Sequence, residues 1–293
     1  MSKPINRITL RDRIRTYQKH PISFLILLFT VLATLLTVGV FLVLTGHILI
    51  KGIPHVSPRL FEWEYNSENV SMMPAIINTL TTVVLTLLLA VPLGVFSAVY
   101  LTEYARRGNR LVKLIRLTAE TLSGIPSIVY GLFGYLLFNV SLQLGYSILS
   151  GALTLAIMVL PTVMRTTEEA LLAVPDTYRE GSFGLGAGRL RTVFCVVLPS
   201  AASGIFSGIM LAIGRIVGET AALIYTAGTV TSVAKGFFSS GATLSVHMYV
   251  LLSEGFYTNE AYATAVVLLV LVVPINALSS FISKKAAKKK GTS

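Results

Sequence analysis

Two charges stand where charges are costly. Arg215 and Glu219 sit in an apolar and small-residue stretch, and no Asp, Glu, Lys or Arg precedes them between 192 and 214. At the centre of a membrane helix a charge costs roughly 2.5–3.5 kcal/mol on insertion scales, so a role must offset that cost. Helical spacing puts residues four apart on one face, where they can pair. Arg meets oxyanions with a planar fork of donors, and ionisable groups inside a membrane mark transport paths by default. The readings are a self-neutralised structural pair, or an anion contact in which Glu219 orients Arg215. Thr220, Asn78, Thr79 and Thr82 are neutral donors that such a path can use. Thr and Asn in membrane helices also bond to backbone or to neighbouring helices.

A second cluster is Ser123-Gly124-Ile125-Pro126-Ser127. Proline inside a span removes a backbone hydrogen bond and kinks the helix. Pro126 is also placed to start a half-helix ahead of Ser127, whose N–H groups present the positive end of a dipole to an anion. The alternative is a structural kink against a neighbour.

A third lies in TYREGSFGLGAGRLRTVFCVVLP, residues 177–199. Asp176 follows Pro175 and can cap a short helix. Tyr178, Ser182 and Leu185 then share a face, and Gly186 ends or bends it. Such a helix is a knob that a partner's groove can grip; otherwise it is an ordinary interhelical loop.

The elements that position these residues follow from the charge pattern. Only 13% of the 293 residues are charged, against about 25% in soluble domains. Asp, Glu, Lys and Arg are absent from 20–50, 69–102, 121–164, 192–214 and 261–283. A bilayer-spanning helix needs about 20 apolar residues. Four stretches hold one span each and the longest holds two, broken near Gln143, Gly145, Ser147 and Ser150. The expectation is an all-α, polytopic membrane protein with six transmembrane helices. The runs are too long for the buried helices of a soluble protein and do not alternate as barrel strands must.

The spans run roughly Ile22–Ile50, Pro74–Tyr100, Leu117–Val140, Tyr146–Arg165, Pro199–Tyr225 and Ala261–Ser283. The organisation is a basic arm at 1–20, a first helix at 21–50, an external loop at 51–73, a core of five helices at 74–283 and a basic tail at 284–293. The first apolar run exceeds a signal-peptide core and reads as a retained anchor. The arm is either an interfacial helix or a frayed topogenic segment. The outer segment 226–260 is expected to be re-entrant or surface-lying.

The net charge of +11 does not point to nucleic acid, because 20 of the 24 Lys and Arg fall on one side of this topology. That is the positive-inside asymmetry, which puts both termini in the cytoplasm. The cytoplasmic segment between spans four and five, 166–192, carries the third cluster. No Gly-Lys dipeptide occurs, so the chain lacks a Walker A nucleotide site. The four His show no metal-ligand spacing, Cys195 stands alone, and no catalytic constellation appears.

The third cluster resembles the EAA loop of bacterial ABC importer permeases: Glu180, two small residues, three residues, Gly186, nine residues, Val196, one residue, Leu198-Pro199. Gly181 and Ser182 replace the two alanines. Three segments are similar to phosphate-specific permeases of the PstA type: ETLSGIPSIVYGLFG (120–134), RTTEEALLAVPDTYREGSFGLGAGRLRTVFCVVLPSA (165–201) and GRIVGETAALIYTAG (214–228). The likeness covers about residues 74–283; Ala222, where Pro is usual, is a minor departure.

The resemblance implies a type I ABC importer permease fold, with a path touching Arg215, Glu219, Thr220, Gly124, Pro126, Ser127, Asn78 and Thr82. It implies ATPase coupling through Tyr178, Glu180, Gly181, Ser182, Leu185 and Gly186. It implies a second permease (PstC type), two ATPase subunits (PstB type) that use ATP and Mg, and an external phosphate-binding protein (PstS type). The setting is a bacterial inner membrane with its lipid; this chain would bind no cofactor and is not an enzyme by itself. Other oxyanions (sulfate, molybdate, phosphonate) and an ATP-independent carrier or channel are the alternatives.

Overall fold

A computed structural model describes residues 21–106 and 108–290, and no strand occurs among the described residues. The basic arm 1–20 lies outside them. The chain divides into two units at Lys51.

The first unit contains helix α1, Pro21–Gly52, about 48 Å long at 1.5 Å per residue. Its apolar side chains, Phe29 and Phe41 among them, are exposed, a surface suited to lipid rather than water.

The second unit begins with two 3-10 turns, Ile53–His55 and Pro58–Phe61. Helix α2, Met73–Val99, starts with Pro74 in its first turn, where the missing N–H costs nothing. It ends in a π turn, Tyr100–Tyr104, closed by the Ala105 N–H on the Tyr100 carbonyl. Then come α3 (Arg110–Ser123), α4 (Ser127–Gly134, continued by a π turn to Ser141), α5 (Ile148–Leu172) and α6 (Asp176–Gly184). The short α7 (Arg189–Thr192) leads through a π turn into α8 (Leu198–Val217), followed by α9 (Ala221–Thr226), α10 (Leu244–Glu254) and α11 (Thr258–Lys290).

Five stretches are long and apolar enough to cross a bilayer: Ile22–His55, Met73–Tyr104, Ile148–Leu172, Arg189–Val217 and Thr258–Ile275. Among the described residues the pair Arg110–Ser123 and Ser127–Ser141, bent by 103°, is apolar and long enough only when taken together, and counts as a sixth crossing if it is one broken span. Three boundaries differ from expectation. The third span is two helices rather than one, because Pro126 takes an extended backbone (φ −60, ψ 142) between them. The fourth runs on to Leu172, two turns beyond Arg165, so part of the expected loop 166–192 is helix. The fifth is helical from Arg189 and stops at Val217, leaving α9 separate.

Within a bilayer, burying apolar surface gains little, since lipid is as apolar as leucine; close approach and internal hydrogen bonds decide packing. Both are visible. A Cβ on Gly131 in α4 would stand 2.8 Å from the Ala222 Cα in α9, and one on Gly208 in α8 would strike Thr166 of α5. The main core gathers Leu155, Met158, Val159, Ile216 and Leu223, with Tyr130 beside Val217 and Ala222. The break between α3 and α4 therefore adjoins the break between α8 and α9. Tyr130 donates its hydroxyl across the first break to the Leu122 carbonyl at 2.8 Å, satisfying an acceptor at the end of α3.

The segment 226–260 folds back against the helices of this unit. The Ile148 and Leu149 N–H groups donate to the Ser239 and Phe237 carbonyls, and Leu244, His247 and Leu251 of α10 are buried.

Candidate functional site

The end of α8 decides where Arg215 and Glu219 go. Gly218 is its C-cap, and Thr220 holds a non-helical backbone ahead of α9. Glu219 is 9% exposed; its Oε1 accepts the Ala222 N–H at 3.1 Å and its carbonyl accepts the Ser245 hydroxyl at 2.6 Å. It caps the start of α9, where a carboxylate is favoured. The expected shared face does not form, because the helix ends between the two residues. Among the described residues no ion pair joins them.

Arg215 is half-buried, and its Nη1 reaches across to Thr162 Oγ1 of α5 at 3.5 Å. With Thr162, Leu211, Gly214 and Val272 it lines a cavity of about 380 Å³. Thr162 and Leu211 also line a larger one of about 530 Å³, whose walls include Arg116, Glu120, Ser123, Arg165 and Glu168. The two adjoin as one cleft along α3, α5 and α8.

Charge is uneven along this cleft. At the wide end Arg116 pairs with Glu168, and Arg165 pairs with Glu169 at 3.1 Å and Glu120 at 3.7 Å. The Arg165 pairs are exposed and add little stability, while Glu168 is only 12% exposed; all of them cancel charge. Arg215 has no such partner among the described residues. A guanidinium held by one neutral hydroxyl keeps most of its donors for an oxyanion.

The other expected path residues lie elsewhere. Gly124 and Pro126 are exposed at the α3–α4 elbow with Ser127 half-buried beside them, and only Ser123 of that cluster lines the cleft. Asn78 is buried with all its bonding used: Nδ2 donates to the Ser232 and Ala242 carbonyls, and Oδ1 accepts the Ala234 N–H. Thr79 accepts the Leu244 N–H, and Thr82 donates to the Asn78 carbonyl. Asn78 and Thr79 fasten the outer segment to α2, Thr82 bonds within α2, and none offers a free donor. Thr220 likewise precedes α9, its carbonyl accepting the Ile224 N–H.

The coupling segment forms α6. Pro175, not Asp176, holds the N-cap position, and the Asp176 carboxylate instead accepts from Arg179 at 3.2 Å. At the far end Gly186 has φ +82; the Gly186 N–H bonds to the Phe183 carbonyl and the Ala187 N–H to the Ser182 carbonyl. This is a Schellman stop, which needs a residue that tolerates positive φ. Tyr178, Glu180, Gly181 and Leu185 are exposed, Leu185 at 91%. Ser182 is not on that outer face: its hydroxyl bonds Thr192 Oγ1 at 2.8 Å.

The sequence reading missed the buried side of α6. Arg179 Nη2 donates to Glu103 Oε1 at 2.7 Å and to the Leu171 carbonyl at 2.9 Å, and Nη1 donates to the Val174 carbonyl at 2.8 Å. The hydrogen bond that Arg179 donates to Glu103 leads the causes that raise the Arg179 pKa. Thr162, Glu120 and Arg165 were missed as well. Their signal was the i, i+3 step from Thr162 to Arg165, one turn apart on a single helix.

A family model described as the inner membrane component of binding-protein-dependent transport systems matches residues 90–290. The probable ABC transporter permease protein YqgI of Bacillus subtilis is 33% identical over 84% of this chain and 90% of its own length. The phosphate transport system permease protein PstA 1 of Mycobacterium tuberculosis is 35% identical over 74% of this chain and 71% of its own. A bacterial alginate ABC transporter, solved with a pentasaccharide-bound periplasmic protein, has a chain that superposes with a TM-score of 0.66 at 14% identity, over 92% of this chain and 96% of that one. The match takes in the elbow, the cleft and α6 together. The chain is thus a multi-pass membrane protein and belongs to the family of inner membrane components of binding-protein-dependent transport systems, the permeases of ABC transporters.

Proposed function

We propose that this chain is the PstA-type permease of an ATP-driven phosphate importer in a bacterial inner membrane. The observation that carries this reading is Arg215, a half-buried guanidinium without a carboxylate partner among the described residues, set in a cleft whose other charges are paired. Phosphate permeases among its relatives supply the substrate class. The path would run along the cleft, with Arg215 meeting the anion and Thr162 steadying it. A fork of donors matches the oxygens of phosphate, and its strength is greatest where water is scarce.

In this proposal both termini and α6 face the cytoplasm. Residues 74–283 form the working core. Tyr178, Glu180, Gly181 and Leu185 are offered to the groove of an ATPase subunit, with Gly186 fixing the helix end. A second permease of PstC type completes the path, two PstB-type ATPases use ATP and Mg, and a PstS-type protein delivers phosphate from outside.

The test is reconstitution of the assembled complex in proteoliposomes with ATP inside and loaded binding protein outside. ATP-dependent uptake of labelled phosphate, with weaker competition by sulfate, molybdate and phosphonate, is the expected result. Uptake driven by another oxyanion would reassign the substrate. Uptake by this subunit alone, without ATP, would establish a carrier or channel.

A further inference from the structure

Coupling needs a mechanical connection between α6 and the helices that line the cleft. A short helix with exposed Tyr178 and Leu185 can be gripped from outside, but its movement reaches the membrane only through what it is fastened to. Apolar contact alone lets surfaces slide; a set of directed hydrogen bonds does not.

One side chain makes the directed hydrogen bonds from α6 to the ends of α2 and α5. Arg179 projects from the buried side of α6, 15% exposed, onto Glu103, 9% exposed. Glu103 belongs to the π turn at the end of α2, where the chain steps out of the ordinary helical pattern. Such turns recur at functional positions because they redirect a side chain. The same guanidinium bonds the Leu171 carbonyl at the end of α5, which also accepts the Val174 N–H, and the Val174 carbonyl just beyond the helix end. On its own helix it holds Asp176. A Ser182–Thr192 bond joins the far end of α6 to α7.

We propose that Arg179 is the positioning residue of coupling, the joint that makes α6 move as one body with the ends of α2 and α5. This rests on the reading of α6 as the ATPase-coupling helix. The charged pair supplies the hold on α2, and the two carbonyl bonds supply the hold on α5. Because α5 carries Thr162 and Arg165, displacement of α6 is delivered to the walls of the cleft. A lysine at 179 keeps the charge but has no fork, so it cannot hold Glu103 and both carbonyls in this arrangement. A glutamine at 103 keeps the shape and loses the charge.

The experiment uses the complete transporter with its ATPase and binding protein, in proteoliposomes. Three readouts are taken for wild type, Arg179→Lys and Glu103→Gln: copurification of the ATPase, ATP hydrolysis, and phosphate taken up per ATP hydrolysed. The expected result is that the ATPase still copurifies and hydrolyses ATP, while uptake per ATP falls about tenfold, an ordinary size for a coupling effect. A merely structural pair would leave that ratio unchanged in whatever complex assembles, so an unchanged ratio in either variant overturns the joint. Loss of assembly in both variants makes the pair a folding element and overturns it equally. Failure of the ATPase to copurify with wild type would instead strike the coupling reading itself, a result that these substitutions do not mimic.

Discussion

Arg215 reaches Thr162 across the cleft at 3.5 Å, while Glu219, four residues on, turns its carboxylate to the Ala222 N–H at 3.1 Å. The two ionisable residues of this region therefore do separate work. One faces the cleft and the other closes the start of α9. This separation makes their substitutions independently readable.

For Arg215→Ala, phosphate uptake should fall by at least an order of magnitude while the complex assembles at wild-type yield. Glu219 is not stranded by the change, since its oxygen already has a backbone donor. Adding Glu219→Ala should therefore bring no recovery. Arg215→Lys should retain partial uptake, keeping charge without the fork. Normal uptake by assembled Arg215→Ala would remove the residue from the path.

Glu219→Ala should lower the thermal stability of the purified complex, by an amount corresponding to a lost helix cap, roughly 0.5–2 kcal/mol. Glu219→Gln keeps an acceptor oxygen and should lie close to wild type. If Gln is as damaging as Ala in a thermal melt, the charge and not the cap is what matters at 219.

Gly186→Leu should weaken ATPase recruitment or uptake. A Cβ there would meet no described atom within 4 Å, so the cost at the backbone is conformational: φ +82 suits glycine and costs another residue roughly 1–3 kcal/mol. Gly184→Ala is the control on the same helix. It also meets nothing, has no positive φ, and should stabilise α6 by up to about 1 kcal/mol. Equal damage from both, measured by copurification of the ATPase, would show that bulk rather than backbone geometry is limiting.

His247 gives a pH dependence. It is 2% exposed in α10, which is not one of the crossings, and burial lowers its pKa to about 4 while the Val70 backbone acts in the opposite sense. The folded value lies below the ordinary 6.5, so the unfolded chain takes up the proton first as pH falls. Stability from this group is complete above about pH 6.5 and is lost progressively down to about pH 4. The thermal midpoint of the complex should drop more between these limits in wild type than in His247→Gln. Parallel pH curves for the two would exclude the histidine as the source.

Much of this architecture was legible in the charge pattern. Charge-free runs marked the crossings because lipid tolerates so few ionisable side chains in them. Gly186 marked the end of α6 because its left-handed geometry is nearly residue-specific. The break after Val217 was not legible. Gly218 looks like any glycine in a membrane helix, and only the tertiary placement of Ser245 and Ala222 shows that Glu219 serves a helix start. Nor could periodicity join Arg179 to Glu103, 76 residues apart. Asn78 misled for a related reason: a polar residue in a span advertises a need for partners without saying who they are. Here they are the backbone groups of Ser232, Ala234 and Ala242.

The two interruptions, at Gly124–Pro126 and Gly218–Thr220, lie side by side, joined by the close approach of Gly131 to Ala222. This divides the unit into two storeys. One holds α3 and α8, the other α4 and α9, while α5 packs against all four. A tilt imposed on the lower storey is then not carried up along α3 or α8, whose rods end at the landing. α5 is the helix that touches both storeys, so a tilt passes between them along the element whose Thr162 meets Arg215.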